Sequence, residues 1–284
     1  VIARNEVRLG YDQPIHVQYG RFIKGIFAGR TYGQGDVAVH CPAPALGYSF
    51  EYHQCVTSLV TRTFPVTLSV AIGAFVLWMG IGVGLGTLAA LKRGRWQDRF
   101  ATTFSVVGIS LPTFFVGLLA VLIVVIWTGI MDFPEYVGFT ENPIKWFTAL
   151  LLPWFTLAIV SASTYVRLTR NGILEVMNEE FVRLGLAKGV KRRTLIVKYV
   201  MRAAMVPIVT IAGLDFAALL GGAVITESVF NLPGMGKLSI KAVSDSDLPV
   251  LVATTLVAAV LIVLANAVVD IAYGFLDPRV REKS

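Results

Sequence analysis

The chain has 284 residues, of which 55% are hydrophobic and 15% are charged, and its mean hydropathy is +0.70. A soluble domain carries about 25% charged residues, so this composition excludes an ordinary water-soluble domain. The net charge of +7 indicates membrane topology rather than nucleic-acid binding, because the basic residues cluster between apolar runs.

Residues 1–62 form the sizeable region that precedes the apolar runs. Asp12 and Pro14 can open a helix, with the proline in its first turn. The apolar face of this helix predicts that it lies at the membrane interface, and it consists of Tyr19, Phe22, Ile23, Ile26 and Phe27. Glycine and proline at short spacing predict loops at 29–35 and 41–47.

Five apolar runs predict five transmembrane helices, since about 20 apolar residues cross the hydrocarbon region as a helix. The runs at 63–91, 100–131 and 146–166 contain no Asp, Glu, Lys or Arg, and those at 203–230 and 249–276 are interrupted only by carboxylates. We therefore predict an all-α polytopic membrane protein. Its transmembrane domain at 63–276 lies between the N-terminal segment and a tail at 277–284.

The basic residues set the orientation, because Lys and Arg concentrate in cytoplasmic loops. Segment 92–99 carries four basic residues against one acidic residue, and 167–202 carries nine against three. Segment 132–145 carries one basic residue against three acidic ones. The cytoplasmic parts are therefore 92–99, 167–202 and 277–284, and the outward parts are 1–62, 132–145 and 231–248.

Cys41 and Cys55 lie on the outward side, where an oxidising compartment permits a disulfide between them. The residues leave open whether the two are bonded. A metal site with the neighbouring His40 and His53 is the alternative. The His-Cys and His-x-Cys spacings are poor for one tetrahedral site, so we expect no metal.

Glycines spaced four residues apart, which let helices approach closely in lipid, recur in two of the predicted spans. The first span contains two overlapping pairs, Gly80 with Gly84 and Gly82 with Gly86. The fourth span repeats the pattern with Gly213, Ala217 and Gly221. These stripes predict tight packing within one subunit, with contact to a partner subunit as the alternative.

Asp215, Glu227 and Asp270 are the ionisable residues inside the predicted spans. A carboxylate at membrane depth is costly, which makes each a candidate for lining a water-filled pathway. For Glu227 and Asp270, which lie near span ends, exposure at the membrane interface is an equal alternative. Asp215 lies nearer the middle, and we expect it to line the pathway or to pair across a subunit interface.

The water-facing segment before the fourth span carries a short helical pattern. Asn178 can cap a helix that has Glu179 and Glu180 in its first turn, and Gly189 suits a left-handed stop. A helix of about ten residues is too short to be stable alone in water, so 179–188 must lie against something. Its apolar set at i, i+3 and i+6, with two flanking basic residues, is Phe181, Leu184, Ala187, Arg183 and Lys188.

A second helical pattern follows, in which basic residues lie away from an apolar face made of Leu195, Ile196, Tyr199, Val200 and Ala203. It predicts a basic amphipathic helix along the cytoplasmic membrane surface, ending before Pro207 marks the next span. Two interpretations stay open for the whole segment: it docks onto a partner, or it rests on lipid headgroups.

This segment resembles the cytoplasmic coupling loop, or EAA loop, of binding-protein-dependent ABC transporter permeases. More narrowly, the chain from about Asp12 to Arg279 resembles the first permease subunit of the dipeptide/oligopeptide/nickel family. The match is carried by FVRLGLAKG at 181–189 and RAAMVPIVTIAGLDFAALLGGAVITESVFNLPGMGK at 202–237. The Glu-Ala-Ala places of the motif hold Arg183, Leu184 and Gly185. Arginine is usual there in the peptide subgroup, whereas Leu184 departs from the small-residue pattern.

The resemblance implies a type I ABC importer permease fold, multi-pass in a bacterial plasma membrane. It also implies a sixth membrane helix before residues 1–10; we expect that helix to be missing from this chain, with a processed N-terminus as the alternative. The implied partners are a second homologous permease, two ATPase subunits that bind ATP and Mg, and an extracytoplasmic substrate-binding protein. The residues that would couple to the ATPases are Glu179, Glu180, Phe181, Arg183, Leu184, Gly185, Ala187, Lys188 and Gly189.

The chain itself carries no obvious nucleotide site, since PGMGK at 233–237 lacks the Gly at 231 and the Ser or Thr at 238 that a phosphate loop requires. We expect a transport subunit without a cofactor of its own rather than an enzyme. Peptides are the solute expected by resemblance, with nickel, haem or another small solute as alternatives. An ion-coupled secondary transporter that uses Asp215 and Asp270 is the rival from a different class, and a membrane enzyme acting on a lipid-like substrate is the third interpretation.

Overall fold

The computed structural model describes residues 13–33 and 38–276, without the side chains of Asp270 and of 272–276. The stretch at 1–12, the predicted tail at 277–284 and the predicted role of the Asp270 side chain therefore lie outside the described residues. Within them the helices are α1 Ile15–Ala28, α2 Val56–Leu91, α3 Trp96–Ser110, α4 Thr113–Ala120, α5 Pro143–Met177, α6 Glu180–Ala187, α7 Arg192–Leu220, α8 Val224–Val229, α9 Met235–Ser244 and α10 Leu248–Leu276.

Two small antiparallel hairpins follow α1. β1 Arg30–Tyr32 pairs with β2 Val39–Cys41, and β3 Tyr48–Ser49 pairs with β4 Gln54–Cys55. A disulfide between Cys41 and Cys55 fastens β2 to β4. The prediction of a loop at 29–35 is therefore wrong for Arg30–Tyr32. These residues form β1, whose backbone hydrogen-bonding groups are satisfied by pairing with β2.

Four helices of the described residues are long and apolar enough to cross a membrane, and the number is five if one sharply bent pair of helices is counted as a single span. The four are α2, α5, α7 and the part of α10 at Leu248–Val269, and the fifth joins α3 to α4 and its π-helical continuation at Val121–Trp127. The number of spans agrees with the five predicted apolar runs. Most of the helices extend beyond the apolar windows because a helix continues into the headgroup region while its backbone bonds are satisfied.

The second predicted span is not one straight helix. α3 and α4 meet at an angle of 101°, and the break falls at Leu111 and Pro112. Leu111 has an extended backbone, which is the conformation that a following proline favours, and Pro112 precedes α4 as its cap. The prediction of a continuous span at 100–131 is therefore wrong at this point.

The predicted span at 203–230 also ends early. α7 stops at Leu220, and Gly222 follows with a φ of +124°, a conformation that side chains other than glycine rarely adopt. The chain then forms α8 and α9 as a hairpin before α10 begins. A run of apolar residues that looks like one helix is thus a longer helix followed by a separate short one.

The first glycine stripe packs through only one of its two pairs. A Cβ atom at Gly82 would lie 2.5 Å from the Cβ of Tyr165, and one at Gly86 would lie 2.7 Å from the carbonyl oxygen of Val166, both on α5. The other predicted pair, Gly80 and Gly84, has nothing of this subunit within 4 Å of such a Cβ, because it lies on the exposed side of α2. The packing prediction is therefore wrong for this pair and correct for its overlapping partner.

The glycines of α7 face α10. A Cβ at Gly213 would collide with the side chain of Val269, and one at Gly221 would lie 3.5 Å from the Cβ of Ala258. Together these two glycines let α7 and α10 run side by side. The stripe packs within the subunit, which was the first of the two predicted roles.

An ion pair fastens the inner end of α3 to α5. The Asp98 carboxylate accepts hydrogen bonds from Nε of Arg170 at 2.6 Å, from Nη2 of Arg170 at 3.1 Å and from the backbone N–H of Gly94 at 2.8 Å. The bidentate geometry is that of a strong, charge-assisted pair. α3 therefore moves together with the helix that leads directly into the 167–202 segment.

We expect Gly86→Val to lower the stability of the purified protein by about 1–3 kcal/mol, the usual cost of overpacking. Gly84→Val is the matched control, since it makes the same change two residues away where no atom lies within 4 Å. The thermal midpoint in detergent measures both. Equal midpoints for the two variants would contradict the assignment of Gly86 to the interface between α2 and α5.

We expect Asp98→Asn to destabilise the protein by about 1.5–3 kcal/mol, because Arg170 loses its charged partner. Arg170→Gln added to Asp98→Asn should then cost less than Arg170→Gln alone, as the two residues share one interaction. Arg99→Gln at the exposed neighbouring position is the control. Additive effects of the two substitutions in thermal unfolding would contradict the pair.

Candidate functional site

The cytoplasmic segment after α5 folds into α6, an eight-residue helix at Glu180–Ala187. Its cap is Glu179, and Glu180 lies in its first turn, where a carboxylate suits the positive end of the helix. Asn178 instead ends α5 and donates from Nδ2 to the carbonyl oxygen of Leu174 at 3.0 Å. The prediction of Asn178 as the cap is therefore wrong, because that side chain is used by the preceding helix.

The end of α6 is a left-handed glycine stop. Gly189 has a φ of +79°, its N–H donates to the carbonyl oxygen of Leu186 at 3.0 Å, and the N–H of Val190 donates to that of Gly185 at 3.1 Å. These two bonds form a Schellman motif. The predicted role of Gly189 agrees with this geometry, although the helix is shorter than the predicted 179–188.

One side of α6 anchors the helix to the membrane-spanning bundle. Val182 is buried in a cluster with Ile173 of α5 and Leu195 of α7. A Cβ at Gly185 would lie 2.8 Å from Cδ1 of Leu195, so a small residue is needed there. Leu184 does not face this contact, which explains why it can be large where the motif has a small residue.

The other side of α6 is an exposed surface with apolar and basic residues. Phe181 is 43% exposed, Leu184 is 59% exposed and Leu186 is 49% exposed. Exposed neighbours complete this coupling surface: Glu179, Glu180, Arg183, Ala187 and Lys188. Leu186 was not among the residues singled out from the sequence. It could have been recognised as an apolar side chain on a short helix that buries only one face.

The second helical pattern does not form a separate helix on the membrane surface. Residues 192–220 form one helix, α7, with π-helical turns at Leu195–Val200. Leu195 and Val200 of the predicted apolar face are buried against α5 and α6, whereas Tyr199 and Ala203 of the same face are exposed. Pro207 lies inside α7, and the predicted interfacial helix is the inner end of the span.

Asp215 lies on α7 within reach of α5. Its Oδ2 accepts a hydrogen bond from the hydroxyl of Tyr165 at 2.6 Å. Tyr165 is only 1% exposed and its ring lies 6.2 Å from that of Trp78, whereas Asp215 itself is exposed in the single chain. The Asp215 carboxylate thus accepts one hydrogen bond from its own chain, and its other side faces away from the helical bundle.

Glu227 lies on α8 and is fully buried, with 0% of its surface exposed. Its Oε1 accepts from the hydroxyl of Thr67 at 2.7 Å, and its Oε2 accepts from the backbone N–H of Lys237 at 2.9 Å. Exposure at the membrane interface is therefore wrong for this residue. A pathway role is also wrong in this conformation, because α2 and α9 enclose the carboxylate.

The predicted sites are separate in space and differ in kind. The exposed side of α6 lies in the segment predicted to be cytoplasmic, Asp215 lies on the exposed flank of α7, and Cys41 and Cys55 are bonded to each other. Among residues 13–33 and 38–276, no group of three or more His, Cys, Asp or Glu side chains could hold a metal ion. The arrangement can contact other macromolecules and a passing solute.

Comparison with known protein families gives two matches that together span most of the chain, residues 1–71 and 82–282. The description "Binding-protein-dependent transport system inner membrane component" matches residues 82–282, and the N-terminal description of the same kind of membrane component matches residues 1–71. An inner-membrane component with several spans is a multi-pass protein of the plasma membrane.

Curated relatives match along almost the whole chain. A putative peptide transport system permease protein of Brucella abortus (strain 2308) is 35% identical over 280 residues, which cover 99% of this chain and 84% of the relative. The glutathione transport system permease protein GsiC of Salmonella paratyphi A is 35% identical over 283 residues, covering 100% of this chain and 85% of the relative.

A solved structure has the same fold at low sequence identity. A chain of the MetNI methionine ABC transporter in an inward-facing conformation superimposes with a TM-score of 0.61 at 16% identity, covering 78% of this chain and 97% of that chain. The family matches and the relatives together identify the molecule: the chain belongs to the family of inner-membrane components of binding-protein-dependent transport systems.

Proposed function

We propose that this chain is one of two permease subunits of a peptide importer and that α6 is the helix through which it contacts the ATPase subunits. Members of the family are transport subunits of ABC importers and not enzymes, and ATP is hydrolysed by separate ATPase subunits. The proposal adds the solute, the coupling residues and the arrangement of a second permease, two ATPases that hold ATP and Mg, and an external binding protein. The peptide assignment rests on relatives named for peptide and glutathione transport.

The observation that carries the proposal is the exposed apolar surface of α6. Phe181 and Leu184 lie three residues apart on this eight-residue helix and therefore share one face, and they are 43% and 59% exposed. Such a cluster, rimmed by charged residues, is typical of a protein-binding site. A partner that covers it gains the free energy of apolar burial.

The anchored side of α6 supports a mechanical role. Val182 and Gly185 fasten α6 to Ile173 and Leu195, which belong to the inner ends of α5 and α7. A push on the exposed side is therefore delivered to two spans at once. ATP binding would bring the ATPases together and move these spans as one rigid body, so that the pathway changes from inward-facing to outward-facing.

Asp215 is the proposed contact for the solute inside the membrane. Its carboxylate keeps a free face beside the single hydrogen bond from Tyr165, and a carboxylate can accept several hydrogen bonds. The charged amino end of a peptide is a cation that such a group attracts. Exposure of Asp215 to lipid would be costly, so water or the second permease must cover it in the assembled transporter.

We expect a cysteine at Leu184 to crosslink to an ATPase subunit in membranes that contain the whole complex. The native cysteines do not interfere, because Cys41 and Cys55 are bonded to each other. Val182→Cys is the matched control, since Val182 is on the same helix but only 5% exposed. A photoreactive crosslinker attached to the new thiol, followed by irradiation and immunoblotting for the ATPase, measures the product. No ATPase adduct at Leu184→Cys, or an equal yield from both positions, would contradict the proposal.

We expect Asp215→Asn to reduce uptake of a dipeptide with a free amino group about tenfold, which equals about 1.4 kcal/mol and lies close to the lower end of the range for a charged hydrogen bond. Uptake of the N-acetylated dipeptide should change much less. Proteoliposomes with the complete transporter and radiolabelled peptides give both rates.

Thr210→Val is the control for this substitution, because the Thr210 hydroxyl bonds only within α7, to the carbonyl oxygen of Val206 at 3.1 Å. Equal losses for both peptides in Asp215→Asn would indicate a general defect and contradict a contact with the amino end. Uptake by wild-type proteoliposomes without ATPase subunits would favour the secondary transporter instead.

A further inference from the structure

We propose that Glu227 and Thr67 are positioning residues which connect the outer surface of the permease to the spans inside the membrane. The inference rests on the proposed function, because it concerns how docking of the external binding protein is communicated inward. Glu227 and Thr67 would transmit movement to the spans from the outer side, as Val182 and Gly185 of α6 would transmit it from the inner side.

The first step is the geometry around the Glu227 carboxylate. The Thr67 hydroxyl donates to it at 2.7 Å and also accepts the backbone N–H of Met235 at 2.8 Å, while the N–H of Lys237 donates to the carboxylate at 2.9 Å. Met235 and Lys237 belong to the first turn of α9, where free N–H groups and the helix dipole favour an anion. The Glu227 carboxyl oxygens of α8 thus hold the beginning of α9 against α2 by hydrogen bonds.

The PGMGK sequence at 233–237 provides the space for this arrangement. A Cβ at Gly234 would overlap the Glu227 carboxylate, and one at Gly236 would lie 2.8 Å from the Cα of Val224. Glycine at both positions allows α8 and α9 to touch. The PGMGK motif resembles a phosphate loop in its sequence. Here its backbone binds a carboxyl group of the same chain, since the N–H of Lys237 donates to Glu227.

On the outer side, α9 is joined to the small extracytoplasmic region. Leu238 and Ala242 of α9 share a buried cluster with Leu46, Val56 and Leu59. The Lys241 ammonium lies 5.1 Å from the centre of the Tyr52 ring, a cation–π contact. α9 and the disulfide-linked hairpins therefore form one outward-facing unit.

Two polar bonds fix the same unit to α10. The hydroxyl of Ser49, a buried residue in β3, donates to the carboxylate of Asp247. The other oxygen of Asp247 accepts the N–H of Val250, in the first turn of α10, at 3.4 Å. A binding protein that touches the outer unit thus pushes on a body that is already attached to the last span.

On the side that faces the bundle, α8 packs against α4 of the bent span and against α5. A Cβ at Gly117 of α4 would lie 3.1 Å from Val229 and 3.4 Å from Thr156 of α5, which shows how closely α8 packs there. Phe230, immediately after α8, is fully buried among these helices. A displacement of the outer unit reaches α4 and α5 through α9, the Glu227 carboxylate and α8.

The experiment measures ATP hydrolysis by the complete transporter in nanodiscs, with and without its binding protein loaded with a mixture of di- to pentaalanine. We expect Thr67→Val to leave the basal rate within about twofold and to reduce stimulation by the binding protein about 3- to 30-fold, the range of coupling changes at residues without ligand contact. Glu227→Gln should give an intermediate loss, because it keeps the shape but removes the charge.

Two controls separate positioning from a simple folding defect. Thr67→Ser keeps the hydroxyl and should restore stimulation, and Ser239→Ala removes a hydroxyl that bonds only within α9, to Met235 at 3.0 Å. Spin labels at Ile225 and Val243, which are 52% and 61% exposed, report the distance between α8 and α9. We expect this distance distribution to broaden in Thr67→Val and to remain narrow in Thr67→Ser.

The two proposals fail in different ways. Full stimulation in both Thr67→Val and Glu227→Gln, with an unchanged label distance, would overturn the positioning role and leave the importer function intact. A wild-type complex that no loaded binding protein stimulates would overturn the proposed function itself, and this inference with it.

Discussion

The absence of water from the hydrocarbon region is the constraint on which the rest of the structure depends, since each buried polar group there needs a partner from the protein. Bonds between different helices meet part of this requirement. Ser105 of α3 donates to the carbonyl oxygen of Ser163 in α5 at 2.6 Å, and Trp154 of α5 donates from Nε1 to that of Ser69 in α2 at 2.9 Å. A bond that removes a desolvation penalty therefore also fixes the relative positions of two spans.

Close packing makes the same helices behave as one body. α5 contacts α2 through Gly82 and Gly86, holds α3 through the ion pair of Arg170, and continues at its cytoplasmic end into α6. Interfaces as tight as these have few alternative arrangements, because a shift of a few tenths of an ångström meets backbone atoms. A movement applied at α6 is for this reason passed on as displacement of whole helices and is not lost in local deformation.

The sequence predicted the number of apolar runs and the position of the short helix α6, because the cost of burying charge and the rules of helix ends act locally. It could not predict that Pro112 separates two helices by 101°, since a proline in an apolar run is compatible with a kink as well. The partners of Glu227 and Asp98 lie 160 and 72 residues away, and local periodicity carries no information about them. Local sequence likewise could not show which of the two overlapping glycine pairs packs, because that depends on where α5 lies against α2.

Glu227 and Asp215 show how one residue type at membrane depth can serve two purposes. Glu227 is completely enclosed, and its oxygens are occupied by Thr67 and by the first turn of α9. Asp215 has one donor, the Tyr165 hydroxyl, and an exposed face. A carboxylate whose accepting capacity is used within its own chain stabilises that chain, whereas one with capacity left over stays available to a cation. The structural carboxylate and the proposed solute contact are thus distinguished by their remaining hydrogen-bonding capacity, a property that neither residue's position in the sequence reveals.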